Sequence, residues 1–478
     1  MLDTNLVIEI ILAKNIKLIL DLENLINMKK RGIMVRETIL ITLSLILTFC
    51  DSSLSEKSLT DGKSKPNIVI IVSDDQGYGD SSFQGDHPAE ISTPAIDKLA
   101  AAGVIFTNGY ASAYVCAPTR AGLLTGRYQQ RFGFYTAFDS RQGMPLSETT
   151  LAEYLKEEGY TTGIFGKWHI GLEYDYRPLQ RGFDEFYGFL GHGAHSYFDL
   201  SCSTEDKHNC IYRDNEIIND EGYLTDVLAE RSVNFIDKHA QDTEPFFLYL
   251  PFNAVHFPLE APESDVARFN TGNKDRDTML GMLYRMDIAI AKVIDKLKET
   301  GQYENTLIFY FSDNGGAAKI NANNAPLRDY KQSTYEGGIR VPFIISWPQH
   351  INPGKSDEPV ISLDILPTIF EVIGKELPND RIFDGRSIVP VIDGTLEGPL
   401  HDQLVWDGNQ DKWAIREGDF KLVKNKNGDI ELYNLKDDIG ESNNIIASNP
   451  TIAEKLQSDY DKWRKEMGTP MGSKENKK

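Results

Sequence analysis

Two pairs of oxygen-bearing side chains, Asp74–Asp75 and Asp313–Asn314, each follow directly on an apolar run, at residues 68–72 and 307–311. Carboxylate and amide oxygens grouped in this way suit a hard divalent cation such as calcium. One acidic pair after a strand reads as a strand-end cap; a second pair ending another buried run favours a metal site. Lys167-Trp168-His169 follows a strand-like segment at 161–165, and His256 follows a third apolar run at 245–250. Histidine, with its ordinary pKa near neutrality, exchanges protons at physiological pH, and lysine supplies a fixed positive charge.

These side chains meet only if the runs that carry them are neighbouring strands. Residues 66–73 form a continuous β-branched stretch, the pattern of a strand buried on both faces. Short strands are predicted at 104–107, 161–165, 245–250, 307–311 and 341–346. Between them, helices are predicted at 93–103 (opened by Thr93-Pro94), 150–159, 223–239, 279–300 and 364–374. This alternation predicts an α/β fold, a large and mostly parallel sheet sandwiched by helices. In such sheets functional groups gather at the carboxyl ends of the strands. Three acids, an amide, two histidines and a lysine would then share one rim.

Beyond residue 385 the texture changes. Short strands at 413–416, 420–423 and 430–433 and a last helix at 450–465 read as a smaller antiparallel-sheet subdomain. The expected division is a catalytic domain over 66–385 and a C-terminal subdomain over 386–478. No internal repeat is evident.

The chain has 478 residues and a formal net charge of -21. So acidic a surface repels nucleic acid and anionic membranes at long range, which excludes them as partners. It also repels a sulfated polymer, so an anionic substrate requires a local cluster of cations.

The remaining segment with chemistry in it is Cys116-Ala-Pro-Thr-Arg-Ala-Gly-Leu-Leu-Thr-Gly-Arg127. It resembles the signature of the type I sulfatases, in which C-x-P-S/T/A-R followed by leucine and T-G-R directs oxidation of the cysteine to formylglycine (3-oxoalanine). Thr119 stands where serine is more usual. Asn67-Ile-Val-Ile-Ile-Val-Ser-Asp-Asp-Gln-Gly-Tyr-Gly-Asp80, Gly166-Lys-Trp-His-Ile-Gly171, Phe311-Ser-Asp-Asn-Gly-Gly316, and Lys331 with Glu336-Gly-Gly-Ile-Arg-Val-Pro342 are similar to further blocks of the same family, in its order. The region 413–435 is similar more loosely. The resemblance implies an alkaline-phosphatase-like fold and hydrolysis of sulfate esters.

It also implies roles. Asp74, Asp75, Asp313 and Asn314 would hold one calcium ion with the matured Cys116 beside it. A hydrate of formylglycine would attack sulfur in line with the departing sugar oxygen, and loss of a proton from its second hydroxyl would expel sulfate. Arg120 and Lys167 would steady the hydrate, His169 would accept the proton that triggers collapse, His256 would donate to the leaving oxygen, and Lys331 would contact the sulfate. Each has an ordinary alternative, as a surface ion-pair partner or a loop histidine. His192 and His195, in a glycine-rich loop, stand either in a sugar pocket or in a solvated loop. Asn108 is a further candidate for the rim. Competing readings are a formylglycine-dependent phosphonate or phosphodiester hydrolase, and an unmatured, inactive glycan-binding protein.

At the N-terminus, Lys29, Lys30, Arg31 and Arg36 precede an apolar run within residues 35–49, which reads as a secretory signal. Met28 opens this pattern, so residues 1–27 read as an over-extended start. Leu47-Thr48-Phe49-Cys50 resembles a bacterial lipoprotein cleavage box, with Cys50 as the lipidated residue, although Phe49 stands where a small residue is usual. Residues 51–65 form a polar tether. The expectation is an exported bacterial protein, periplasmic or lipid-anchored at the cell surface. In that compartment Cys202 and Cys210 would form a disulfide. No C-x-x-C pair suggests zinc. The expected partners are a formylglycine-generating or anaerobic sulfatase-maturing enzyme and a sulfated oligo- or polysaccharide, algal or glycosaminoglycan-type, desulfated at exposed positions by exo action.

Overall fold

A computed structural model describes residues 65–84, 88–191, 195–202, 207–408 and 412–471. The signal segment, the tether, Cys50 and His192 lie outside the described residues. All described residues fall in one compact unit spanning 62–478.

In chain order the strands are β1 (Asn67–Ser73), β2 (Val104–Phe106), β3 (Gly109–Tyr110), β4 (Thr161–Lys167), β5 (Glu185–Phe189), β6 (Ile211–Arg213), β7 (Glu216–Ile218), β8 (Phe246–Pro251), β9 (Thr306–Ser312), β10 (Phe343–Ser346), β11 (Gly354–Ser356) and β12 (Val360–Ile361). Ten of them make one sheet, ordered β11-β2-β10-β9-β1-β8-β4-β5-β6-β7, while β3 and β12 pair separately. The centre is parallel: β1 pairs with β8 and β9, and β4 with β8 and β5. The expected mostly parallel sheet is therefore present, with antiparallel pairs toward the edges. β10 runs antiparallel to β9 because a loop, and no long crossover helix, joins them.

The principal helices are α1 (Pro94–Ala101), α2 (Cys116–Thr125), α3 (Leu151–Glu157), α4 (Leu224–Lys238), α5 (Lys274–Glu299) and α6 (Ile365–Val372). Alternate residues of the central strands serve the two faces. Val69, Ile71, Leu248, Leu250, Ile308 and Tyr310 join one buried cluster with residues of α1, α4 and α5. Residues of the other parity point the opposite way, where Phe247 and Tyr249 stack on Phe183. The two-sided burial accounts for the unbroken apolar runs in the sequence.

Strands β13 (Leu404–Asp407), β14 (Trp413–Glu417), β15 (Phe420–Lys424) and β16 (Ile430–Asn434) form an antiparallel sheet in sequential order. Helix α7 (Pro450–Lys465) lies on it, with Tyr460 stacked on Trp413 at 4.0 Å between ring centroids. This sheet shares a buried cluster with Tyr110, Tyr114, Val115, Ile339, Ile361 and Leu363. Trp406 donates its indole N–H to the Ala111 carbonyl (2.8 Å), and Tyr114 donates to the Gly408 carbonyl (3.2 Å). The small sheet thus braces the segment that leads into Cys116.

Candidate active site

Strands β9, β1, β8 and β4 are consecutive neighbours and all parallel, so their carboxyl ends form one continuous rim. Asp313 and Asn314 leave β9, Asp74 and Asp75 leave β1, His256 lies beyond β8, and Lys167 ends β4 just before His169. Register sets the heights. Ser73 is level with Ser312, and the Asp313 amide donates to the Ser73 carbonyl (3.0 Å). The His256 loop is clipped to β1 by Asp74 N to Ala254 O (2.9 Å) and Val255 N to Asp74 O (2.8 Å). Asp75 and His169 both have φ of 62°. A left-handed backbone at a residue with a Cβ costs about 1–3 kcal/mol and persists where the surrounding structure over-determines it, commonly at functional sites.

The acids are held by buried cations. Lys167 Nζ lies 2.5 Å from Asp74 Oδ2, and Arg120 donates to Asp313 Oδ2 through Nε (3.0 Å) and Nη2 (2.7 Å). Arg120 Nη1 also binds the Lys167 carbonyl (3.0 Å). Asp75 Oδ1 accepts from Asn314 Nδ2 (2.8 Å) and Lys331 Nζ (2.5 Å). The second oxygens of Asp74 and Asp313, and Asn314 Oδ1, are buried with no hydrogen-bond partner among the described residues. One oxygen of Asp74, one of Asp313 and Cys116 Sγ lie within 4.8 Å of one another. Orphaned buried acceptors cost several kcal/mol unless something supplies positive charge. The orphaned oxygens of Asp74, Asp313 and Asn314 fit a hard divalent cation.

Burial opposes ionisation of Asp74, yet Lys167, His256, Arg120 and Lys331 hold it well below the usual carboxylate range. Asp313 is pushed up to about 6 by burial and by the Asp74 charge. Two acids thus compete for limited positive charge.

Cys116 is the first residue of α2, so its side chain sits at the positive end of the helix. The Thr119 hydroxyl, in place of the usual serine, accepts from Ala113 N (3.2 Å) and lies within reach of the Ala113 and Val115 carbonyls (3.1 and 3.3 Å). It pins the turn before Cys116 with an oxygen that serine would place similarly. Burial, reinforced by Asp74 and Asp313 against Lys167 and Lys331, raises the Cys116 thiol pKa, so the unmodified residue is a thiol at neutral pH.

Above Cys116 lies a cavity of about 670 Å³ lined by His169, His256 and Lys331, with Phe138, Arg141 and Gln332 on its walls. His256 Nδ1 lies 2.7 Å from the Phe257 carbonyl, which leaves Nε2 as the outward nitrogen, 3.8 Å from Asp75. Burial lowers the His256 pKa against the pull of Asp74 and Asp75. Lys331 stays cationic, its burial outweighed by Asp75, Asp74 and Asp313. Gly337 and Gly338 explain the E-G-G block. A Cβ on Gly337 would lie 2.3 Å from the Asp329 carbonyl oxygen, and one on Gly338 2.0 Å from that of Ser333. The loop carrying Lys331 can pack there only against bare backbone.

The rim thus gathers Asp74, Asp75, Asp313, Asn314, Cys116, Arg120, Lys167, His169, His256 and Lys331. Arg120 and Lys167 lie behind the acids and are fully buried. His195 is not among the cavity's lining residues; it is buried beside Phe189, with Nδ1 2.6 Å from the Ser196 carbonyl. Asn108 belongs to a different cavity, bonded to Asp357 and Arg416. Cys202 and Cys210 form a disulfide. Phe138 and Arg141 carry no motif; Phe138 is betrayed only by an exposure of 71%, unusual for a phenylalanine.

The sulfatase family model matches residues 66–375, and that of the N-sulphoglucosamine sulphohydrolase C-terminal region matches 329–466. An arylsulfatase of Hemicentrotus pulcherrimus is 35% identical over 385 residues, 75% of this chain and 67% of its own. The N-acetylgalactosamine-6-sulfatase of Mus musculus is 34% identical over 369 residues, 71% of this chain and 68% of its own. Among solved structures, Ps i-CgsB in complex with k-i-k-neocarrahexaose is similar with a TM-score of 0.80 at 36% identity, covering 85% of this chain and 94% of that one.

Proposed function

This chain belongs to the sulfatase family and is a sulfuric ester hydrolase, and on that premise we propose that it removes sulfate from a sulfated carbohydrate by exo action, using formylglycine at position 116 and one calcium ion. The observation that carries the reading is the position of Cys116. It sits on a helix N-terminus at the floor of the cavity, beside orphaned carboxylate oxygens and below His169, His256 and Lys331. The carbohydrate class is supported by two relatives, one named for N-acetylgalactosamine 6-sulfate chemistry and one crystallised with a neocarrahexaose.

Calcium, held by Asp74, Asp75, Asp313 and Asn314, would neutralise sulfate charge, and formylglycine would supply the nucleophilic oxygen. The chain's own residues do the rest. Lys331 reaches into the cavity as a fixed cation and binds the incoming sulfate. Lys167 and Arg120 keep Asp74 and Asp313 ionised and in place. His169 takes up the proton released at position 116. His256 presents Nε2 to the ester oxygen; the arriving anion raises its pKa, and the imidazolium then protonates the departing sugar oxygen.

We also place the protein outside the cytoplasm of a bacterium, periplasmic or lipid-anchored through Cys50. An oxidising compartment suits the Cys202–Cys210 disulfide. There it would meet its saccharide after a formylglycine-generating or anaerobic sulfatase-maturing enzyme has acted on Cys116.

The test is mass spectrometry of the Cys116 peptide from protein made with a maturation enzyme, paired with sulfate release from a panel of sulfated sugars. The expected result is a loss of roughly 18 Da at the cysteine and activity abolished by Cys116→Ala. An unmodified cysteine in an active enzyme would overturn the nucleophile. Release from aryl sulfates but from no sugar would overturn the substrate class.

A further inference from the structure

Lys331 and Gln332 also line a second hollow of about 530 Å³, which runs beneath the β15–β16 turn. Its charged lining is Arg328, Lys331, Lys412 and Lys426 against one acid, Asp329. That balance is the reverse of the whole chain, whose formal net charge is -21.

The four cations are not equivalent. Arg328 lies over the Tyr335 ring (3.8 Å), donates to the Glu441 carbonyl (2.7 Å), and has the Glu431 carboxylate at 3.8 Å. Lys331 answers Asp75. Lys412 and Lys426 have no carboxylate within ion-pair distance among the described residues. Lys412 Nζ donates to the Gln332 carbonyl (2.9 Å) and lies over the Tyr114 ring (5.2 Å). Burial, with the Lys426 charge, lowers the Lys412 pKa against the pull of Asp329. Lys412, half-buried, and Lys426, exposed on the turn, are like charges lining one hollow, and an anion bound there would relieve their repulsion.

We propose that this hollow is a second anion-binding subsite, in which Lys412 and Lys426 take a sulfate or carboxylate on the sugar adjoining the one being desulfated. The inference rests on the carbohydrate reading above and narrows it to substrates with at least two anionic groups. Gln332, shared by both hollows, joins the two positions.

The test is calorimetric titration of the full chain carrying Cys116→Ala, with calcium present, so that neither maturation nor turnover enters. The probes are inorganic sulfate and sucrose octasulfate, with an alginate oligomer to distinguish carboxylate from sulfate as the bound group. Lys426 is exposed on a turn, so Lys426→Glu should fold normally. It is expected to weaken sucrose octasulfate about five- to ten-fold while leaving inorganic sulfate within about two-fold. Lys412→Gln, which keeps a donor for the Gln332 carbonyl, should act in the same direction. Lys298→Glu, on the last turn of α5 away from the rim, is the charge-matched control. Equal weakening by Lys298→Glu would mean diffuse attraction only and would overturn the subsite, as would no change with Lys426→Glu. Failure of the carbohydrate reading shows separately, as a matured enzyme that cleaves aryl sulfates and no sulfated sugar.

Discussion

Arg120 and Lys167 spend their charge on one oxygen each of Asp313 and Asp74, and the opposite oxygens have no hydrogen-bond partner among the described residues. A ligand that binds only the folded state stabilises it by RT ln(1 + [L]/Kd), about 2.7 kcal/mol at a hundredfold excess over Kd. Calcium should therefore raise Tm by about 2–4 °C, and a chelator should reverse the shift. Asn314→Ala removes one orphaned oxygen and should abolish most of that shift; an undiminished response would remove Asn314 from the site. His256 makes a different kind of prediction. His256→Ala should lower kcat on sugar sulfates about 10²–10⁴-fold, the usual worth of a general acid. On an aryl sulfate with a good leaving group the loss should be much smaller. Equal losses on both esters would make His256 a binding residue.

β1, β8 and β9 were legible because each is buried on both faces, and a two-faced strand writes itself as an unbroken apolar run; β4, Thr-Thr-Gly-Ile-Phe-Gly-Lys, was marked by the helix before it and the block that follows it. The predicted strands at 161–165, 245–250 and 307–311 correspond to β4, β8 and β9 within two residues at each end. The edge was not legible. β6 and β7 are three-residue strands with exposed positions, and β13, the fourth strand of the small sheet, is a four-residue stretch too short to stand out. At the site, residues within motifs were found, but the cavity walls at Phe138 and Arg141 were not, since their role depends on where 3₁₀ turns bring them. His195 shows the reverse error, because a polar loop residue can still be buried by the aromatic beside it. The Lys331 loop lies between these cases: its motif was visible, but not the reason for the glycines. Gly338→Ala places a Cβ against backbone carbonyls of residues 333 and 330, and backbone cannot swing aside. A stability loss of about 1–3 kcal/mol is expected, with a fall in kcat/KM because Lys331 moves with its loop. Kinetics unchanged in the folded variant would show that Lys331 is positioned from elsewhere.

Between the two sheets lies an ionic cluster that reports on the molecule as a whole. Lys421, on β15, is fully buried and lies 2.7 Å from Glu336 and 2.9 Å from Glu441. Glu336 also accepts from Tyr110 (2.7 Å), and its backbone N–H donates to Glu441 (2.6 Å). Arg340 adds an ion pair to Glu336 (3.4 Å), so Glu336 has more cationic support than Glu441, whose ion-pair partner is Lys421. Burial opposes the charge on Glu336, but Lys421, Arg340 and Arg416 hold it at about 2. Burial, and the Glu336 charge against the pull of Lys421, push Glu441 up to about 7. Between the ordinary glutamate value of 4.5 and about 7 the folded chain therefore keeps a proton on Glu441 that the unfolded chain has lost. Stability from this group falls as pH rises through that window; Glu336 acts oppositely, losing its contribution as pH falls from 4.5 toward 2. Thermal unfolding should show a higher Tm near pH 5 than near pH 8, and Glu441→Gln, neutral at every pH, should flatten that slope by on the order of 1–3 kcal/mol. A slope unchanged in Glu441→Gln would assign it to other groups. Lys421→Met removes the ammonium that bridges both buried carboxylates, leaving Glu336 to Arg340 and Glu441 without its ion-pair partner, and should cost about 3–5 kcal/mol. Because the same cluster adjoins the Tyr110–Val115 segment that leads into Cys116, that loss should appear as one cooperative transition at lower temperature; separate melting of the small sheet would show instead that the two sheets fold independently.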